Sequence, residues 1–277
     1  MRAVAIVGVG LIGGSFGLAL RKAGFTGELI GISSEAALSA GIKAGAIDRS
    51  GTLEEAARSA HLIYLSQPVD RILSTIPVLA KVARRDCLIT DAGSTKARIV
   101  AASMAAHLEP FLGGHPLAGK EQRGAQSADP DLFRHRPYVL TPTTTETDRT
   151  REFRFWLEKI GAKVIDMSPT EHDETVAFTS HLPQLLSSAL AATLARNENG
   201  NVDQVFGQGL LDMTRLALSP PELWKSILST NSAAVHRALD AFLITLNDLR
   251  RSIGAPELAG GFIMANEFAQ KIREGST

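Results

Sequence analysis

Short apolar runs alternate with amphipathic stretches through the first half of the chain, and that alternation sets the expected architecture. Ala3 to Val7, Glu28 to Ile32, His61 to Ser66, Cys87 to Thr90, Pro110 to Gly113 and Tyr138 to Thr141 read as strands. Helical spacing fills Leu11 to Ala23, Ser34 to Ala44 and Lys96 to His107 between them. Strands apolar on both faces, each followed by a helix, predict a parallel sheet covered on both sides, a doubly wound α/β domain. A helix over Asp148 to Ile160 and a strand over Lys163 to Met167 complete it.

The pattern then changes. Ser168-Pro169-Thr170-Glu171 carries a capping serine, a proline at the first helical position and an acid in the first turn, the signature of a helix start. Beyond it Glu171 to Asn197, Val202 to Ala217, Pro221 to Leu249 and Leu258 to Arg273 keep helical apolar spacing with no strand among them. The expected organisation is an α/β domain over residues 1–167 and an all-helical domain over 168–277. Helices of this length commonly bury their remaining apolar faces against a twin, so a homodimer is expected.

Composition narrows the function classes. A chain of 277 residues, 44% hydrophobic and 21% charged, is too apolar for disorder and long enough for two cores. Its 29 basic and 29 acidic residues cancel, and no basic block is long enough to neutralise several phosphates. Nucleic acid and membrane surfaces are therefore disfavoured as partners, and a small molecule is favoured. No apolar run reaches the roughly 20 residues of a membrane span. Glycines 8, 10, 13, 14 and 17 interrupt the apolar N-terminal stretch and argue against an export signal. The lone Cys87, within an apolar run, fits a reducing compartment, the cytoplasm.

The first candidate site is Gly8-Val9-Gly10-Leu11-Ile12-Gly13, between a strand and a helix. Gly8 serves the tight turn, Gly10 lets the backbone approach a pyrophosphate, and Gly13 lets helix and strand pack closely. The first turn of the helix, with Leu11 and Ile12, attracts the anion. Ser66 and Gln67, at the end of the third predicted strand, reach the same sheet edge. An acid at the end of the second strand would bind the ribose of NAD, but the place reads Ser33-Ser34. Two hydroxyls without a carboxylate lean toward NADP. NAD stays open, because no arginine follows and Glu35 is one position on.

Four further strings carry chemistry: Asp91-Ala92-Gly93-Ser94-Thr95-Lys96, Gly113-Gly114-His115-Pro116-Leu117-Ala118-Gly119, Thr179-Ser180-His181-Leu182-Pro183-Gln184 and Asp212-Met213-Thr214-Arg215. With the glycine turn and Ser219-Pro220-Pro221-Glu222-Leu223-Trp224, and in this order along the chain, they resemble the prephenate and arogenate dehydrogenases of tyrosine biosynthesis. That resemblance implies a Rossmann domain followed by a helical dimerisation domain, and oxidative decarboxylation of a cyclohexadiene with hydride transfer to NAD(P). It also implies His115 as the base for the substrate's 4-hydroxyl, with Ser94 beside it. Arg215 would hold the side-chain carboxylate, and His181 and Gln184 would contact other polar groups.

Plainer readings stand beside these. Ser94 is also a cap for the helix opening at Lys96, His115 a loop histidine, His181 a core residue near a proline, and Arg215 a partner for Asp212. Trp224 reads as core packing. Lys120, Glu121 and Arg123 either line a cleft or are exposed charges. Glu171-His172-Asp173-Glu174 lacks the second histidine of a zinc helix, so it reads as a solvated helix start and no metal is expected. A β-hydroxyacid dehydrogenase is the rival enzyme, but would carry a lysine where Arg196 and Arg215 punctuate the helices. A dinucleotide sensor without turnover is the rival outside the enzymes, and would leave His115 and Ser94 unexplained.

Overall fold

The computed structural model describes residues 1–120, 122, 124–197 and 201–274. The chain opens with β1 (Ala3–Val7), α1 (Leu11–Lys22), β2 (Glu28–Ile32), α2 (Glu35–Lys43), β3 (Arg49–Ser50), α3 (Leu53–Ser59), β4 (Leu62–Leu65) and α4 (Val69–Val82). It continues through β5 (Leu88–Asp91), α5 (Ala97–Ala105), β6 (Phe111–Pro116), β7 (Pro137–Thr141), α6 (Asp148–Lys159) and β8 (Lys163–Asp166). Helices follow: α7 (Pro169–Val176), a π-helical turn (Ala177–His181), α8 (Leu182–Ala195), α9 (Gln208–Thr214), a 3-10 turn (Arg215–Leu218), α10 (Pro221–Thr230), α11 (Ser232–Ser252) and α12 (Leu258–Glu274).

The eight strands form one sheet in the order β3-β2-β1-β4-β5-β6-β7-β8. Alternation along each central strand divides the core. Val4 and Ile6 of β1, with Leu62 and Tyr64 of β4, face a cluster built on Phe16 and Leu20. Ala5, Val7, Ile63 and Leu65 face the opposite cluster with Ile72, Ile76 and Ile99. Both faces being covered, the central β1 and β4 are apolar throughout, as the sequence pattern predicts.

Two features depart from the predicted sheet. The two-residue β3 was absent from the predicted strands, and β7 runs antiparallel to β6, with His115 opposite Val139. A parallel return needs a crossover, usually a helix. Between β6 and β7 the described residues hold only a 3-10 turn, Ala125–Ser127, so the chain comes back directly.

The chain order reverses between β1 and β4. In such sheets ligands bind outside the carboxyl ends of the strands at the reversal. The Gly8 turn, Ser66, the loop after Asp91 and the end of β6 all lie along that edge.

Contacts divide the chain into two compact units, Met1–Ser232 and Ala233–Thr277. Residue 168, the predicted boundary, lies inside the first. The second comprises most of α11, with α12, and leaves Ile244, Phe262, Met264 and Phe268 exposed. The predicted helix over Pro221 to Leu249 is interrupted at Asn231, and that over Glu171 to Asn197 by the π turn. Of Val202 to Ala217, only α9 and the start of the 3-10 turn are helical. No helix among the described residues is long and apolar enough to cross a membrane.

Candidate functional site

Gly8 takes φ +99°, a conformation costly for any residue with a Cβ, and its N–H donates to the Ile32 carbonyl at 2.8 Å. The Ser66 hydroxyl donates to the Gly8 carbonyl at 2.8 Å, tying the turn to the end of β4. At Gly13 a Cβ would collide with that carbonyl and with the Ser66 hydroxyl, so helix and strand meet only because it is glycine. A Cβ at Gly10 would meet nothing within 4 Å. Helix α1 starts there with no capping side chain and no acid in its first turn. Its leading N–H groups, those of Leu11 and Ile12 included, therefore have no side-chain cap at the positive end of the helix, which fits a diphosphate.

The other residues expected near the cofactor fall around this turn. Ser33 and Ser34 are exposed at the end of β2, and Ser34 precedes α2 without capping it through its side chain. Gln67 accepts a hydrogen bond from Thr75 at 3.0 Å. Arg49, on neighbouring β3, is ion-paired to Glu28 and Glu55.

Asp91 ends β5 and is fully buried against an equally buried Lys96. The carboxylate also accepts from the Gly93 N–H at 2.8 Å and the Gly114 N–H at 3.2 Å, while Lys96 donates to the Gly114 carbonyl at 2.7 Å. This pair fixes the backbone beside His115. Burial pushes Asp91 up and Lys96 down, each opposed by the attraction of the other.

His115 lies within β6 and not in a loop as its glycine-rich surroundings suggested, because Gly113 and Gly114 let β6 approach Thr141 and Asp91 closely. Its Nδ1 is 2.8 Å from Nε2 of His172, whose Nδ1 is 2.8 Å from an oxygen of Asp173. The predicted solvated start of α7 is thus corrected. Ser168 and Glu171 do form the capping box, but His172 and Asp173 are buried. Asp173 also takes the N–H groups of Lys96 at 2.6 Å and Ala97 at 2.9 Å, capping α5 from a distant helix. Ser94, half-buried in the preceding loop, is therefore not the cap.

The Asp173 carbonyl accepts from Asn231 at 2.7 Å, and the same amide reaches Nδ1 of the buried His181 at 3.3 Å. The His181 ring meets Trp224 edge-on at 5.9 Å. Gln184 donates to the Leu216 carbonyl at 2.8 Å, and Ser187 accepts from the Ala217 N–H at 3.0 Å. Together they hold the 3-10 turn that carries Arg215, which is exposed. Arg215 shares a cleft of about 720 Å³ with Gly119, Lys120, Gln122 and Leu223. Glu121 and Arg123 lie outside the described residues.

Burial and neighbouring His172, Lys96 and His181 hold His115 well below its ordinary value. Burial also lowers His172, against Asp173, and takes His181 down to about 4. All three rings stay neutral when folded while an unfolded chain takes up protons below about pH 6.5, so this stability is complete above that pH and lost as pH falls. His181 alone, from 6.5 to about 4, accounts for roughly 3 kcal/mol by pH 4. Melting temperature followed from about pH 7 to about pH 4.5 is expected to drop steeply, and less so in His181→Gln. A flat profile would contradict the neutral trio.

A strand, glycine turn and helix that fit a dinucleotide, with a buried histidine on the same sheet edge, define a class: the Rossmann-type nicotinamide-dependent oxidoreductases. Residues 16–166 match the family model described as prephenate dehydrogenase, nucleotide-binding domain, and residues 168–260 that described as prephenate dehydrogenase, dimerization domain. The Lactococcus lactis prephenate dehydrogenase is 32% identical over 259 residues, 91% of this chain and 72% of that one. Prephenate dehydrogenase from A. aeolicus, solved with hydroxyphenyl propionate and NAD+, matches with a TM-score of 0.92 at 32% identity, covering 98% of both chains. Synechocystis arogenate dehydrogenase matches at 0.84 and 30% identity, covering 98% of this chain and 99% of that one. The chain belongs to the prephenate dehydrogenase family.

Sequence reasoning missed Asp91 and Lys96 as a pair, the link from His172 to Asp173, and Asn231. The five-residue spacing of Asp91 and Lys96 across a strand-to-helix loop was the one local signal. The others are joined only by tertiary packing.

Proposed function

We propose that the chain oxidatively decarboxylates a cyclohexadienyl substrate of the prephenate or arogenate type. The observation that carries the reading is the buried His115, whose Nε2 is engaged by no described residue while Nδ1 is held by His172. That nitrogen takes the proton of the substrate's 4-hydroxyl as general base. A bound nicotinamide supplies the hydride acceptor for C4, and aromatisation drives loss of the ring carboxylate as carbon dioxide. Ser94 orients the hydroxyl. Arg215 draws in the substrate's side-chain carboxylate, and His181 meets its side chain. Gln184, bonded to Leu216, sets the position of Arg215.

For the cofactor, Gly8, Gly10 and Gly13 take the diphosphate, with Ser66 and Gln67 beside them, and Ser33 and Ser34 favour NADP over NAD. Ser33 and Ser34 standing at the end of β2 in place of a carboxylate support this, with Glu35 one position further on, in the first turn of α2. The functional boundary falls at Ser168, and the helical part pairs two copies through its exposed apolar residues. The buried, lone Cys87 supports a cytoplasmic setting.

Prephenate and arogenate, each with NAD+ and NADP+, give four assays read by absorbance of the reduced nicotinamide. Turnover is expected, faster with NADP+, and silence in all four would overturn the reading. Ser33→Asp is expected to shift preference toward NAD+ by about tenfold to a hundredfold, since a carboxylate accepts from a ribose hydroxyl and repels a phosphate.

A further inference from the structure

The mechanism above uses His115 but leaves two buried groups behind it without a task. His172 is wholly enclosed, and Asp173 nearly so. The hydrogen-bond order between them has one consistent solution. The Asp173 carboxylate already accepts two backbone N–H groups at the start of α5, so toward His172 it is again an acceptor. His172 therefore carries its proton on Nδ1, and, being neutral, presents a bare Nε2. His115 must then donate from Nδ1, at 2.8 Å, which leaves its own Nε2 as a lone pair.

We infer that His172 and Asp173 are positioning residues that lock His115 in the Nδ1–H tautomer and stabilise the imidazolium it becomes. The inference rests on His115 being the base. In the step itself the substrate O–H bond breaks and an Nε2–H bond forms on His115. The new positive charge is shared through Nδ1–H with the His172 lone pair, and Asp173 faces it from behind. His172 gains and loses no proton.

The charged and titratable groups around His115 pull in opposite directions. A charged His172, Lys96, after β5, and His181, from the π turn, disfavour its protonation. Asp91 pairs with Lys96, and His172, kept neutral and oriented by Asp173 on α7, favours protonation by accepting the Nδ1–H bond at Nε2. Removing the acceptor at residue 172 should therefore make His115 a harder group to protonate.

The test uses the intact enzyme with its substrate and oxidised cofactor. His172→Leu is expected to lower kcat about tenfold to a hundredfold, a part of the general-base contribution, with KM nearly unchanged. The acid limb of the kcat/KM profile moves to lower pH. His172→Gln, which restores a carbonyl acceptor, recovers much of both. Parental kcat and an unmoved limb in His172→Leu would overturn the inference, as would equal losses in both variants with the limb in place.

Independently of any variant at 172, nitrogen NMR of histidine-labelled parent protein should show His115 protonated on Nδ1, its signal assigned by loss in His115→Asn. Protonation on Nε2 would refute the tautomer. If His115→Asn keeps full turnover, the base reading itself fails. If it is inactive while His172→Leu is unaffected, only the positioning role fails.

Discussion

His115→Asn is expected to lower kcat about a thousandfold, within the range general bases contribute. Asparagine matches much of the imidazole's volume, and its amide can still donate to His172. The buried network therefore survives, while the basic lone pair facing the substrate is lost. KM should change little, because Arg215, proposed to hold the side-chain carboxylate, lies on the turn after α9. Rate should persist above background, since substrate and cofactor remain positioned and aromatisation still favours the product. Steady-state kinetics with a melting curve for the same sample separate this from unfolding. A folded variant with kcat within about tenfold of the parent would remove His115 from the role of base.

What the sequence disclosed depended on how local each signal was. The glycine turn was legible because two of its glycines answer to nearby backbone: positive φ at Gly8, collision at Gly13. His115 was legible as a residue, yet its strand was not, because Gly113 and Gly114 look like loop until Asp91 and Thr141 are found packed against them. His172 and Asp173 were misread because the capping box of Ser168 and Glu171 fully explains the local pattern and leaves the next two residues looking solvated. Their burial is set by β6 and α5, remote in sequence. The interruption at Asn231 escaped because helical periodicity runs on both sides of it, whereas its amide is committed to Asp173 and His181. Lys96 read as an ordinary helix start. Only its five-residue spacing from Asp91 hints that this lysine will be sealed from water.

Lys96→Met should be among the most destabilising single substitutions in the α/β part. Methionine fills most of the volume, but Asp91 is left buried with only the two amide donors of Gly93 and Gly114. Breaking one side of a buried ion pair costs about 3 to 5 kcal/mol, which for a chain of this size lowers the melting temperature by roughly 6 to 20 °C. A pH signature accompanies the loss. Without its partner the Asp91 carboxyl is pushed up by burial, so the folded variant binds a proton more readily than the unfolded chain. The Asp91 part of the deficit is therefore largest at neutral pH and shrinks as pH falls, measured as the difference between variant and parent melting curves. A deficit independent of pH would mean that Lys96 acts through packing alone. Activity carries a second signature, because Lys96 opposes protonation of His115. Its removal moves the acid limb of kcat/KM to higher pH, opposite to His172→Leu. Two substitutions on either side of one imidazole should thus displace the same titration in opposite directions, which a general loosening of the site would not do.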